Sequence, residues 1–93
     1  MDSFWAGVRA LEGQTLRTLK QDKPFEITET TDETVHMLVG KDRTHKSINR
    51  DQFAEAKRRG LLRSNVTRGE IEQGRIAGGR TAYAVAIIRA VLG

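Results

Sequence analysis

The chain has 93 residues, no cysteine, and 16 lysine and arginine residues against 12 aspartate and glutamate residues, which gives a net charge of +4. This length fits a single domain, residues 1–93, that can bury its own core, and the lack of cysteine excludes disulfides and thiolate metal sites. The longest apolar run, 82–88, is shorter than the roughly 18 to 20 residues that a membrane span needs. We therefore expect a domain that contacts no membrane and resides in the cytoplasm.

The first half of the chain predicts one helix followed by strands. Apolar residues recur at helical spacing from Phe4 to Leu11, which predicts a helix over 3–12 that ends before Gly13. After that glycine the apolar residues alternate with polar ones, as in half-buried strands, and short polar turns separate the segments. Short connections favour an antiparallel meander. The expected strands are 15–19, 25–28, 35–39 and a short fourth one at 44–48.

The second half predicts three helices. Asn49 is placed to cap a helix that ends before Gly60, and Thr67–Glu70 matches a capping box that would start a short helix reaching about Gln73. The last helix, 81–92, is apolar nearly all round. It should therefore be the central helix of the core or lie in a homodimer interface.

These elements predict an α+β fold. Its expected order is an N-terminal helix, a three- to four-stranded antiparallel meander and then three helices, with the last one central and apolar. The residues expected in the core are Trp5, Val8, Leu11, Phe25, Ile27, Val35, Met37, Val39, Phe53, Val85 and Ile88.

Charge is distributed unevenly along the chain. Residues 1–40 carry four basic and seven acidic side chains (−3), whereas residues 41–93 carry 12 basic and five acidic ones (+7). Segment 41–68 alone has nine basic and three acidic residues. Such clustering is expected of a surface that binds a polyanion. The alternative is a solvated helix face.

Three sequence patterns resemble catalytic or metal sites but lack the required context. Segment 74–81 has the spacing of a phosphate-binding loop, with Arg80 in place of lysine, yet no buried strand precedes it and too few residues follow it. Glu55–Lys57 resembles a nuclease triplet but falls in a predicted helix. His36 and His45 do not have the spacing of metal ligands. We therefore expect no catalytic residues, no metal and no cofactor.

A weaker anion-binding interpretation of the glycine-rich loop remains open. Main-chain amides at the start of the last helix, beside an arginine, could hold a phosphate or sulfate ion. The alternative is that the glycines only form a flexible turn. The candidate residues are Gly78, Gly79, Arg80 and Thr81.

Segment 52–68 resembles the DNA-binding helix-turn-helix of bacterial repressors. In that motif a small residue lets two helices cross closely, a glycine makes the turn, and apolar positions fasten the second helix to the first. Thr67 lies inside the second helix of the motif, whereas the capping box places it just before a helix, so the two interpretations exclude each other. The matching residues are Gln52, Ala56, Gly60, Leu61, Val66, Thr67 and Arg68.

The sequence thus favours a non-catalytic nucleic-acid-binding domain, with duplex DNA as the ligand. A protein-interaction module, such as an accessory or inhibitory protein from a phage or mobile element, is the alternative, and a small ribonuclease or toxin is a third class. Ser64 and Asn65 are the candidates for base contacts if the helix-turn-helix forms. The candidates for phosphate contacts are Lys46, Arg50, Lys57, Arg58, Arg63 and Arg68.

Overall fold

A computed structural model of the chain describes residues 2–19 and 21–93. A four-stranded antiparallel sheet follows the first helix, and three further α-helices follow the sheet, with a 3-10 helix at Gly78–Arg80 before the last of them. The elements are α1 Asp2–Arg9, β1 Thr15–Arg17, β2 Pro24–Thr30, β3 Thr34–Val39, β4 Thr44–Asn49, α2 Arg50–Arg58, α3 Arg68–Gln73 and α4 Thr81–Leu92.

The sheet is a meander in the order β1-β2-β3-β4, and one of its faces is covered by the helices. On β3 every second side chain is buried, namely Val35, Met37 and Val39, whereas the residues between them are partly accessible. The buried side chains therefore lie on the face that the helices cover, and the side chains between them lie on the opposite face, which is open to solvent. The pairing of β2 with β3 shifts between Ile27 and Glu29, which marks a bulge.

Aromatic residues join α1 and α2 over the covered face. The Phe53 ring lies 5.5 Å from that of Phe4 and 5.9 Å from that of Trp5, measured between ring centroids. The indole N–H of Trp5 donates to the Thr31 carbonyl at 2.8 Å, which ties α1 to the turn between β2 and β3. These contacts bury the aromatic rings and satisfy the one polar atom among them.

The broad α+β class and the antiparallel meander agree with the sequence-based expectation, and every residue expected in the core is buried. Helix α4 spans the expected residues and contacts α1, α3 and β1 within the same chain. Its apolar composition is therefore explained by burial in the monomer, and the homodimer stays a prediction. The order of helices differs in detail because the 3-10 helix precedes α4.

Two predicted elements are longer than the observed ones. Strand β1 ends at Arg17 because the Thr18 hydroxyl accepts the Lys23 N–H at 3.0 Å and turns the chain, which leaves Leu19 exposed. Helix α1 ends at Arg9, and the Gly13 N–H instead donates to the Ile27 carbonyl at 2.7 Å. In both places a contact with β2 or its turn replaces the regular pairing expected from local sequence.

The helix-turn-helix interpretation is wrong in its second helix. Residues 61–67 form no helix, and α3 begins at Arg68 with Thr67 as its cap. The Thr67 hydroxyl accepts the Glu70 N–H at 3.3 Å, and the Glu70 carboxylate accepts the Thr67 N–H at 3.0 Å. This capping box fixes the start of α3 too late for a repressor-like second helix. Ser64 and Asn65 consequently lie in an exposed loop.

No helix in the described part of the chain is long and apolar enough to cross a membrane.

Candidate nucleic-acid interface

Two of the basic residues around β4 pair with acidic residues from the first half of the chain. Arg50 donates to the Asp2 carboxylate at 2.7 Å and to the Asp32 carbonyl at 3.1 Å, and its guanidinium lies 5.6 Å from the centroid of the Trp5 ring. Arg43 donates to the Glu26 carboxylate at 2.9 Å. The positive charge around β4 is thus partly neutralised by ion pairs within the chain.

Lys46 and Arg68 lie apart from each other. Lys46 is on β4, at one edge of the sheet, where it pairs with Met37 and is half-buried. Arg68 begins α3 and lines a cavity of about 330 Å³ together with Thr18 and Lys23, next to β1 at the opposite edge. The predicted binding residues therefore do not form one continuous surface from β4 to α3.

The end of α2 has a dense group of exposed arginines. The Glu55 carboxylate accepts from Arg58 at 2.8 Å and from the Nε of Arg59 at 2.8 Å. These two hydrogen bonds, the Arg58 bond foremost, hold the pKa of the Glu55 carboxyl below its usual value. One carboxylate thus serves two guanidinium groups that both face solvent.

We call the exposed cations at the end of α2 and in the following loop the basic ridge. It carries four positive charges, and the Glu55 and Glu70 carboxylates paired with it leave a net charge of +2. Glu70 binds Arg63, while Lys57 forms no ion pair within residues 2–19 and 21–93. The ridge consists of Lys57, Arg58, Arg59 and Arg63.

Arg59 belongs to the basic ridge but is not among the residues predicted from sequence to contact phosphates. It occupies a first-helix position that a helix-turn-helix would bury, but in the structure it is exposed and its guanidinium lies against Gly74. The spacing of Glu55 and Arg59, one turn apart on a helix, is the signal that could have identified it.

At the candidate anion site at the start of α4, two of the donor groups already form hydrogen bonds with backbone carbonyls of the same segment. The Thr81 hydroxyl donates to the Gly78 carbonyl at 3.1 Å, and the Arg80 N–H donates to the Ala77 carbonyl at 3.0 Å. The Nε of Arg80 is buried and has no hydrogen-bond partner among the residues that the structure describes. Gly78, Gly79 and Thr81 line the same cavity as Arg68.

Two of the sequence patterns that resemble catalytic sites lie on helices or directly after one. The segment before Gly74 is helix α3, not the strand that a phosphate-binding loop requires, and Glu55–Lys57 lies within α2. Within residues 2–19 and 21–93, no group of three or more histidine, aspartate and glutamate residues is placed to hold a metal ion.

The capping box of α3 makes stability depend on the charge of Glu70. The backbone N–H of Thr67, and next the Arg63 guanidinium, hold the pKa of the Glu70 carboxyl below its usual value. A lowered folded-state pKa adds stability that is present above the ordinary glutamate range and is lost as the pH falls through the lowered value. Glu70→Gln keeps an oxygen that can cap the helix but removes the charge.

We therefore expect Glu70→Gln to flatten the acid side of the stability profile, measured as the urea midpoint from neutral pH to about pH 3. Glu33→Gln is the matched control because the exposed Glu33 side chain has no hydrogen bond or ion pair with any described residue. Equal profiles for the wild type and Glu70→Gln would contradict the assigned role of Glu70.

Comparisons of the chain with protein-family models, with curated proteins and with solved structures found no match.

Proposed function

We propose that this chain is a non-catalytic nucleic-acid-binding domain that contacts the phosphates of duplex DNA through the basic ridge. The observation that carries the proposal is the excess of four exposed cations, at the end of α2 and in the following loop, over the two carboxylates that pair with them. No acidic side chain from residues 2–19 or 21–40 forms an ion pair with these four cations, in contrast to Arg43 and Arg50. The ridge therefore keeps a net charge of +2 with which no acidic side chain of these residues pairs.

The ion pairs of the ridge can be exchanged for phosphates at little cost. Exposed pairs between arginine and carboxylate contribute only about 0 to 1 kcal/mol, because water already solvates both partners. Duplex DNA presents roughly one negative charge per 1.7 Å of its axis, and each phosphate contact releases bound counterions. A guanidinium that leaves Glu55 for a phosphate thus loses little and gains the entropy of ion release.

Such an interface has weak sequence selectivity. Phosphate contacts position a protein on the duplex, whereas side chains that reach the base edges specify the sequence. Ser64 and Asn65 follow Arg63 in an exposed loop, not on a helix that could enter the major groove. We therefore propose that this protein binds many sequences with similar affinity.

The direct test is a salt titration of binding to a short duplex of random sequence. Four phosphate contacts should give a slope of about −3.6 in a plot of log affinity against log salt concentration. Low salt, roughly 50 mM, raises the affinity of non-specific DNA binding. Absence of binding under this condition would mean that the ridge is only a solvated surface. The protein-interaction interpretation would then take first place.

A sharper prediction concerns the carboxylate within the ridge. Glu55→Gln removes the negative charge that pairs with both Arg58 and Arg59, so the two guanidinium groups bind phosphate without losing an ion pair. We expect tighter DNA binding at low salt with a slope near the wild-type value of about −3.6, because the same four cations contact phosphates but two of them no longer have to leave a carboxylate. Fluorescence anisotropy across a salt series measures both quantities.

Glu33→Gln is the matched control for this prediction because it changes the net charge equally at an exposed residue outside the ridge. A general effect of net charge would strengthen binding to the same extent in both variants, and that result would contradict a local role for Glu55.

A further inference from the structure

The only two histidines of the chain meet on the open face of the sheet. His36 is on β3 and His45 is on β4, where the register pairs His36 with Ser47 and Leu38 with His45. The two imidazoles are thus diagonal neighbours on the face away from the helices. His36 Nδ1 lies 3.0 Å from His45 Nε2, and the ring centroids are 5.2 Å apart.

This distance requires one nitrogen to carry a proton and the other to present a lone pair. On its other side, His36 Nε2 lies 4.0 Å from the Glu29 carboxylate, which faces it from β2. That carboxylate favours the His36 tautomer with hydrogen on Nε2 and the lone pair on Nδ1. In this tautomer the hydrogen between the rings belongs to His45.

A cation can replace that hydrogen. Histidine nitrogens bind zinc at about 2.0 to 2.1 Å, so two of them in a tetrahedral site lie about 3.3 to 3.4 Å apart. The observed separation of 3.0 Å must open to that value, and a ring must turn so that both lone pairs point at the same cation. His45 is exposed and can rotate, and its tautomer can change by moving the hydrogen to Nδ1, which leaves the Nε2 lone pair for the metal.

We propose that His36 and His45 form a two-histidine site for a borderline transition-metal cation, Cu²⁺, Ni²⁺ or Zn²⁺. His36 binds through Nδ1 and His45 through Nε2, and water completes the coordination at the solvent-exposed face. Glu29 acts as a positioning residue whose charge, 4.0 Å from His36 Nε2, favours this tautomer. Imidazole suits these cations better than Mg²⁺ or Ca²⁺, which prefer oxygen ligands.

The test is a titration of protein without a histidine tag with Zn²⁺ and, separately, with Cu²⁺, followed by isothermal titration calorimetry near neutral pH. We expect one equivalent of each metal to bind, Cu²⁺ more tightly than Zn²⁺. Binding should weaken on acidification, because protonated imidazoles cannot bind a metal. The electron paramagnetic resonance spectrum of the Cu²⁺ complex should show splitting from two nitrogen ligands.

Variants assign the site to its residues. His45→Gln, at an exposed position, should fold as the wild type does by circular dichroism and should lose the saturable binding. Glu29→Gln should lower the affinity by less than about 10-fold, because its carboxylate, 4.0 Å from His36 Nε2, lies beyond hydrogen-bond distance. Glu33→Gln, with the same charge change elsewhere, should bind as the wild type does.

Two results would overturn the proposal. One is the absence of saturable binding of either metal up to about 1 mM, the limit of a weak complex. The other is unchanged affinity in His45→Gln, because the ligands would then lie elsewhere. Neither result depends on DNA binding, so this site and the basic ridge are tested separately.

Discussion

Phe53→Ala should lower the free energy of unfolding by about 3 to 5 kcal/mol, the range observed when large aromatic residues in protein cores are truncated. Phe53 is 1% exposed and packs against Phe4 and Trp5. Truncation removes the ring from both neighbours and leaves a cavity between α1 and α2. A domain of this size has roughly 5 to 15 kcal/mol of stability in total.

Urea unfolding followed by circular dichroism measures this loss. The slope of the unfolding free energy against urea concentration should stay unchanged, because the variant exposes the same surface on unfolding. Leu19→Ala is the control, since Leu19 is 55% exposed and its truncation should stay within about 0.5 kcal/mol. A loss below about 1 kcal/mol in Phe53→Ala would contradict the packing of α2 over α1.

The extent of α4 and the expected core could be predicted because local pattern and tertiary packing agree there. The apolar residues of 81–92 favour a helix, and burial against α1, α3 and β1 satisfies the same residues. The end of α2 is another such place. Gly60 has a φ of 73°, and the Leu61 N–H donates to the Ala56 carbonyl at 2.9 Å, which closes the helix as a glycine after it predicts.

The segment after α2 could not be predicted uniquely because two local patterns compete there. The glycine turn and the small residue Ala56 favour a helix-turn-helix, while Thr67 and Glu70 favour a later helix start. Packing decides between them. Val66 is buried just before α3, and its carbonyl accepts the Nε of Arg89 on α4 at 3.0 Å, which fixes the loop against the core.

The pairing of charged residues could not be predicted from the sequence either. The pairing of Arg50 with Asp2 joins residues 48 positions apart, and that of Arg43 with Glu26 joins residues 17 apart. The first contact depends on the packing of α1 beside α2, and the second depends on the meander, so the acidic half covers part of the basic half. The meeting of His36 and His45 has the same origin, because it depends on the register of β3 and β4.

The double variant Arg58→Ala and Arg63→Ala should weaken duplex DNA binding by roughly 10-fold to 100-fold at 50 to 100 mM salt, with a slope shallower by about 1.8. With two phosphate contacts fewer, binding releases fewer counterions. The difference in affinity between the wild type and the variant should therefore shrink as the salt concentration is raised. Both arginines are exposed and pair only with carboxylates among the described residues, so their removal should leave the fold intact.

The matched control is Arg9→Ala with Arg17→Ala. These arginines are likewise exposed and paired, with Asp32 at 2.8 Å and Asp22 at 3.5 Å, so the second double variant changes the net charge by the same amount. It should leave the slope near the wild-type value because neither residue belongs to the basic ridge. Equal weakening in both double variants would mean that DNA responds to the total charge of the protein, and the basic ridge would then have no special role in binding.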